Sequence, residues 1–240
     1  MPASVEIASV AELGDRFAAI VESAARRAIA DRGAFTIAVS GGSAAEVLLP
    51  RLVHAAVNWR HVDVFWVDER AVPPGAPESN VAAARTLWID RVALPADRVH
   101  RMPGEAQDLA AGAATYEAEL RRRLGDTPEI DVVLLGMGPD GHVASLFPEH
   151  AALAEAKAWV VPVTDAPKPP PRRLTVTLPV LHAARHLVVF ATGAGKARAL
   201  ASAIDDPASK LPVALAIRPA PRATYLLDPE AASACAPPIR

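Results

Sequence analysis

Asp131-Val132-Val133-Leu134-Leu135-Gly136-Met137-Gly138-Pro139-Asp140-Gly141-His142 decides the fold of this chain. Its first half is a run of apolar, β-branched-rich residues, the pattern of a strand buried on both faces of a parallel sheet. Its second half breaks into glycines and a proline, where the backbone turns sharply. Asp140 and His142 then stand beyond the strand's carboxyl end, the place where open α/β sheets hold their ligands. Val143-Ala144-Ser145-Leu146-Phe147, immediately after, is expected to start a helix.

Working outward, further strands alternate with helices. Ser9-Val10-Ala11-Glu12 has the form of a capping box, Leu13, Phe17, Ile20, Ala24 and Ala28 follow at helical spacing, and Gly33 is the stop. Ala34–Val39 reads as a strand running into Ser40-Gly41-Gly42-Ser43, and Ser43-Ala44-Ala45-Glu46 is a second capping box, opening a helix to about Val53. A strand, two glycines and a helix start make an anion site, because free backbone N–H groups and the positive end of the helix dipole point one way. Val62–Val67 is the next strand, ending in Asp68-Glu69-Arg70. Ser79-Asn80 introduces a helix through Trp88 and Val92, Arg98–Met102 is a short strand, and Leu109–Leu124 is helical. Beyond His142 come strands at Trp159–Val163 and Arg173–Leu178, a short helix at Leu181–Arg185, a buried strand at His186–Ala191 and a helix at Ala197–Ile204. This alternation predicts an α/β fold, a single domain over residues 1–240 with a largely parallel, Rossmann-like sheet and helices on both faces.

Composition excludes several classes. Of 240 residues 51% are hydrophobic and 22% charged, a globular balance. A net charge of -2 gives no electrostatic footprint for nucleic acid or an anionic membrane. No apolar run approaches the ~20 residues needed to span a bilayer. The N-terminus lacks the form of a signal peptide, so a cytoplasmic protein is expected. Cys235 is the only cysteine, which excludes an internal disulfide and any multi-cysteine metal site. The seven histidines form no helical pair with an acid between them, so no metal is expected. Thr192-Gly193-Ala194-Gly195-Lys196 is P-loop-like only in passing, since Phe190 and Ala197 occupy the places of the first glycine and the hydroxyl residue. Lys196 still has the chemistry of a point-charge phosphate ligand.

Four segments together resemble the 6-phosphogluconolactonase family: Ser40–Ser43; Asp68-Glu69-Arg70 with Val72-Pro73 and Ser79-Asn80; Gly136 through Pro148; and Lys168-Pro169-Pro170 with Arg173. The resemblance implies hydrolysis of the δ-lactone of 6-phosphogluconate, a step of the oxidative pentose phosphate pathway, with no metal or organic cofactor. The implied partner is a small sugar-phosphate lactone, not nucleic acid or membrane, and the implied assembly is a monomer or weak homo-oligomer. It assigns His142 as the general base that deprotonates water, a role suited to an imidazole near pH 7. Asp140 either orients that imidazole or binds a sugar hydroxyl. Arg70 is placed to meet negative charge developing on the lactone, and Asp68 to hold Arg70. Gly41, Gly42 and Ser43 at the helix start, with Arg173 and Lys196, make the expected phosphate site. Arg173 is suited to bidentate binding, and Arg172 points the other way along the strand. Ala44 departs from the threonine expected after the loop serine.

Two relatives in fold are weighed against this. Glucosamine-6-phosphate deaminases carry a glutamate five residues after the equivalent histidine and a tyrosine where this chain has Arg70; here the first position is Phe147. Sugar-phosphate-sensing repressor domains carry an added helix-turn-helix unit, for which the residues before Ala34 leave no room.

Overall fold

The computed structural model describes residues 3–236. In chain order the elements are β1 (Ser4–Ile7), α1 (Val10–Arg32), β2 (Phe35–Val39), α2 (Gly42–Leu52), β3 (Val62–Trp66), β4 (Asp68–Arg70), α3 (Asn80–Leu87), β5 (Val99–His100), α4 (Leu109–Leu124) and β6 (Val132–Gly136). They continue as β7 (Val160–Val163), β8 (Arg173–Val176), α5 (Leu178–Ala183), β9 (Leu187–Ala191), α6 (Ala197–Asp205), α7 (Pro212–Ile217) and β10 (Ala223–Leu227).

Seven strands form one sheet in the order β1-β10-β9-β6-β2-β3-β5, every neighbouring pair parallel. The deciding stretch, β6, is its central strand. β3, β9 and β10 are buried at every residue. Because successive strand side chains point to opposite faces, the sheet is covered on both sides, as its apolar runs predict.

Local chemistry sets the boundaries. Ser9 and Glu12 form the reciprocal capping box at α1, and Gly33, at φ 76°, closes it in the left-handed conformation. Asp131 staples the starts of neighbouring strands: its carboxylate accepts from the Thr36 backbone N–H at 3.0 Å and the Thr36 hydroxyl at 3.1 Å, and pairs with Arg32.

Four expectations need correction. Asp68-Glu69-Arg70 is not the tail of β3. It is a separate strand that leaves the main sheet and pairs antiparallel with β8, which in turn pairs with β7. Val143–Phe147 forms no helix: Val143 bridges to both Met137 and Leu146, and the Ser145 N–H is taken by the Thr175 hydroxyl, so the segment is folded into turns. The Ser43–Glu46 capping box does not form; α2 starts two residues earlier, with Gly41 at the cap position in place of Ser43 and no side-chain cap. The helix expected at Leu181–Arg185 begins three residues earlier, with a proline in its first turn. α7 and β10 were not anticipated as elements; α7 is a six-residue helix opened by Pro212, too short to show a period.

Candidate active site

The carboxyl ends of β2 and β6, strand β4 and the start of β8 converge on one cleft, lined by Ser40–Ser43, Asp68, Arg70, Gly136–Gly138, His142, Ala144 and Arg173. Of the residues expected from sequence, it brings together Gly41, Gly42, Ser43, Asp68, Arg70, His142 and Arg173. Asp140 stands behind His142 rather than on the cleft wall, and Lys196 does not line it.

His142 is held on three sides. Its Nδ1 lies 2.5 Å from Asp140 Oδ1 and 3.3 Å from Lys168 Nζ. The Phe147 ring packs on it with centroids 4.7 Å apart. Gly138 backs it so closely that a Cβ there would sit 2.0 Å from His142 Cε1, so only glycine fits. With Nδ1 committed to a carboxylate, the neutral ring carries its proton on Nδ1 and presents Nε2 as the basic atom. Burial pushes the imidazole below its ordinary pKa and the Lys168 charge adds to this, partly opposed by Asp140 and Asp68. Burial pushes the Asp140 carboxyl upward, but hydrogen bonds from His142 and Lys168 outweigh it and hold it below the usual carboxylate range. Of the two roles open to Asp140, the geometry is that of a group orienting the ring.

The two arginines differ from expectation. Arg173 is buried, and its Nε donates to Pro170 O at 3.0 Å while Nη2 reaches Lys168 O at 3.1 Å and Pro169 O at 3.3 Å. Nη1 contacts Ser145 Oγ at 3.4 Å. Most of its N–H groups are therefore spent on the Lys168–Pro170 loop, and the bidentate fork expected for phosphate is already used. Arg70 is the reverse case. Its Nη1 donates to Glu78 O at 2.6 Å, while its buried Nε has no partner among the described residues. Asp68 does not hold Arg70; it accepts from the Ser145 hydroxyl at 2.7 Å and from Asn80 Nδ2 at 3.1 Å. Arg172 is exposed and donates to Gln107 O, away from the cleft.

The glycine loop is fixed from outside. A Cβ on Gly41 would lie 1.9 Å from Asn80 Oδ1, and Ser40 Oγ accepts from the Gly136 N–H at 2.9 Å, tying β2 to β6. Gly42 and Ser43 are exposed at the uncapped start of α2, so its first backbone N–H groups face the cleft unshared. Ala44 is fully buried beside Gly136.

Ser145, Asn80, Glu69 and Lys168 all stand in the segments that carry the resemblance, but the sequence assigns none of them a role of its own. Lys168 was visible only as part of a motif, because its contact with Asp140 at 3.2 Å spans 28 residues. Glu69 is buried and accepts from the backbone N–H groups of Asn80 and Val81, capping α3 from the neighbouring strand. Burial raises its pKa against those hydrogen bonds.

Residues 8–226 match the family model described as glucosamine-6-phosphate isomerases/6-phosphogluconolactonase. The chain is 38% identical to the 6-phosphogluconolactonase of Streptomyces coelicolor, over 89% of this chain and 90% of that one. It is 42% identical to that of Mycobacterium bovis, over 86% and 87%. Among solved structures, the 6-phosphogluconolactonase of Trypanosoma cruzi superposes with a TM-score of 0.86 at 29% identity, covering 97% of each chain. A monomeric glucosamine-6-phosphate deaminase shares the fold at a TM-score of 0.80 and 21% identity, covering 98% of this chain and 100% of that one. A match spanning most of the chain, with a cleft where the strands end and relatives of this identity, has one reading: the chain belongs to the glucosamine-6-phosphate isomerase/6-phosphogluconolactonase family.

Proposed function

We propose that this chain hydrolyses 6-phospho-D-glucono-1,5-lactone to 6-phospho-D-gluconate, with His142 as the general base. Water attacks the lactone carbonyl while His142 Nε2 takes its proton, and Asp140 holds the tautomer and stabilises the imidazolium. The tetrahedral intermediate collapses by breaking the bond to the ring oxygen, which recovers the proton from His142 as it becomes a hydroxyl. Arg70, which lines the cleft with its Nη2 unshared among the described residues, meets the oxyanion as charge develops. The phosphate sits on the backbone N–H groups of Gly42 and Ser43 at the start of α2, with Gly41 giving close approach. Arg173 contributes its charge and holds the Lys168–Pro170 loop, and Lys196 adds positive charge at the flank.

The observation that carries this reading is the Asp140–His142 pair at 2.5 Å beside an uncapped helix start in the same cleft. Deamination of glucosamine 6-phosphate is the weaker reading, because Phe147 is an apolar ring packed on His142 where that chemistry uses a glutamate. The test is hydrolysis of freshly generated lactone at mildly acidic pH, corrected for spontaneous opening. Wild type is expected to accelerate opening, and His142→Ala to lose roughly 10²–10⁴-fold in rate while keeping its fold. A fully active His142→Ala would remove the base assignment, and an inactive wild type the substrate assignment.

A further inference from the structure

At the amino-terminal edge of the main sheet, away from the cleft, two adjoining depressions share Arg27, His186 and Arg222 and run together between α1 and the starts of β9 and β10. We propose that this groove is a second binding site, taking a phosphate group or a comparable multivalent oxyanion on Arg27 and Arg222, with Ser23 and His186 as hydrogen-bonding partners.

Charge accounting supports this placement. The other arginines around the groove are already paired: Arg16 with Glu6 at 3.0 Å, Arg32 with Asp131, and Arg185 with Glu129 and Asp131. Arg27 and Arg222 have no ion-pair partner among the described residues, on a chain whose net charge is -2. Asp31, one turn after Arg27, lines the depression that also holds Arg32, Asp131 and Arg185, and not the one that holds Ser23. Two exposed guanidiniums converging on one depression carry planar forks suited to phosphate oxygens.

His186 gives the site a built floor. It is 5% exposed, and its Nε2 is held by the Thr224 hydroxyl at 2.9 Å, which in turn meets Ser4 Oγ at 2.8 Å. Nδ1 is the ring nitrogen left for a ligand. Burial, then the charges of Arg222 and Arg27, push this imidazole down to about 4. An anion between the arginines would cancel that repulsion, so His186 reports occupancy. β9 separates the groove from the catalytic end by about 16 Å of strand, so a ligand here does not touch His142.

The experiment is a titration of the full chain with inorganic phosphate at pH 7, following imidazole resonances by NMR, with His186→Asn assigning the signal. Sodium chloride at matched ionic strength is run beside it. The expected result is a saturable His186 response to phosphate, absent with chloride and weakened at least tenfold in Arg222→Ala and Arg27→Glu, both exposed positions. Lactone hydrolysis by those variants, without phosphate, is expected to match wild type. Glycerol 3-phosphate forms a second arm: a tighter response than to phosphate assigns the site to a phosphorylated metabolite, and an equal or weaker one to the free ion. A His186 signal that does not move, moves equally with chloride, or moves undiminished in Arg27→Glu overturns the proposal. Ligand exchange at the cleft does not confuse these outcomes, because it reads on His142.

Discussion

His142 is set by opposing neighbours, and their signs are testable one at a time. A base acts in its neutral form, so lowering its pKa extends activity into mild acid. The acid limb of kcat/KM is expected below 6.5, the ordinary imidazole value, because burial and Lys168 together outweigh Asp140. Lys168→Ala removes a charge that disfavours the imidazolium, so the limb moves to higher pH. Asp140→Asn removes a hydrogen bond and a charge that favour it, so the limb moves to lower pH while kcat falls with the loss of tautomer control. Profiles of both variants shifting the same way would contradict this arrangement of charges. On the ring's other side, Gly138→Ala drives a Cβ to 2.0 Å from Cε1 and must displace the imidazole. Its kcat is expected to fall at least tenfold, measured beside a circular dichroism spectrum that retains wild-type helix content.

Between elements, polar side chains do what neither local propensity nor the glycine loop can. His100 on β5 has Nε2 at 2.7 Å from Asp63 on β3 and Nδ1 at 2.7 Å from Glu119 on α4, with Phe65 stacked on its face at 4.7 Å. With a carboxylate at each ring nitrogen, His100 fastens an edge strand to its neighbour and to a helix. Removing it leaves Asp63, itself 6% exposed, with Arg98 at 2.8 Å as its close partner and one hydrogen bond fewer. His100→Leu is expected to cost about 2 kcal/mol, as losing a hydrogen bond to a charged group does, read as a lower urea midpoint with an unchanged slope. The switch of β4 out of the main sheet belongs to this scale too. Glu69 caps α3, Asp68 holds Ser145 and the first residue of α3, and Arg70 reaches Glu78 O, so three consecutive charged residues make three different sets of contacts. In sequence they read as one charged strand end, since nothing local marks a change of sheet.

Over the whole molecule, the proposed catalytic cleft lies at the carboxyl ends of the sheet's strands and the proposed arginine groove at their amino ends. Stability is expected to report the second. His186 is pushed down to about 4 in the folded protein from an ordinary 6.5. Between those values the unfolded chain binds a proton that the folded chain refuses, so stability falls as pH drops through this window and the contribution is fully lost below about 4. Urea midpoints measured from pH 7 to 4.5 should decline less steeply in His186→Asn than in wild type; equal slopes would show that this imidazole is not the cause.

The strands and helices that carry the site were legible because their signals are local: apolar runs for β2, β3, β6 and β9, the Ser9–Glu12 box for α1, glycine loops at strand ends. The sequence by itself determined an α/β order, a central strand and the residues that meet at its carboxyl end. Only the tertiary structure decided what those residues do there. Whether Arg173 offers its N–H groups to a ligand or spends them on the Lys168–Pro170 carbonyls, and whether Arg70 keeps its Nε free, depends on which acceptors long-range packing brings near. Hydrogen-bonding capacity is written in the residue type, but its allocation is fixed by neighbours tens of residues away, and a linear pattern does not encode that distance.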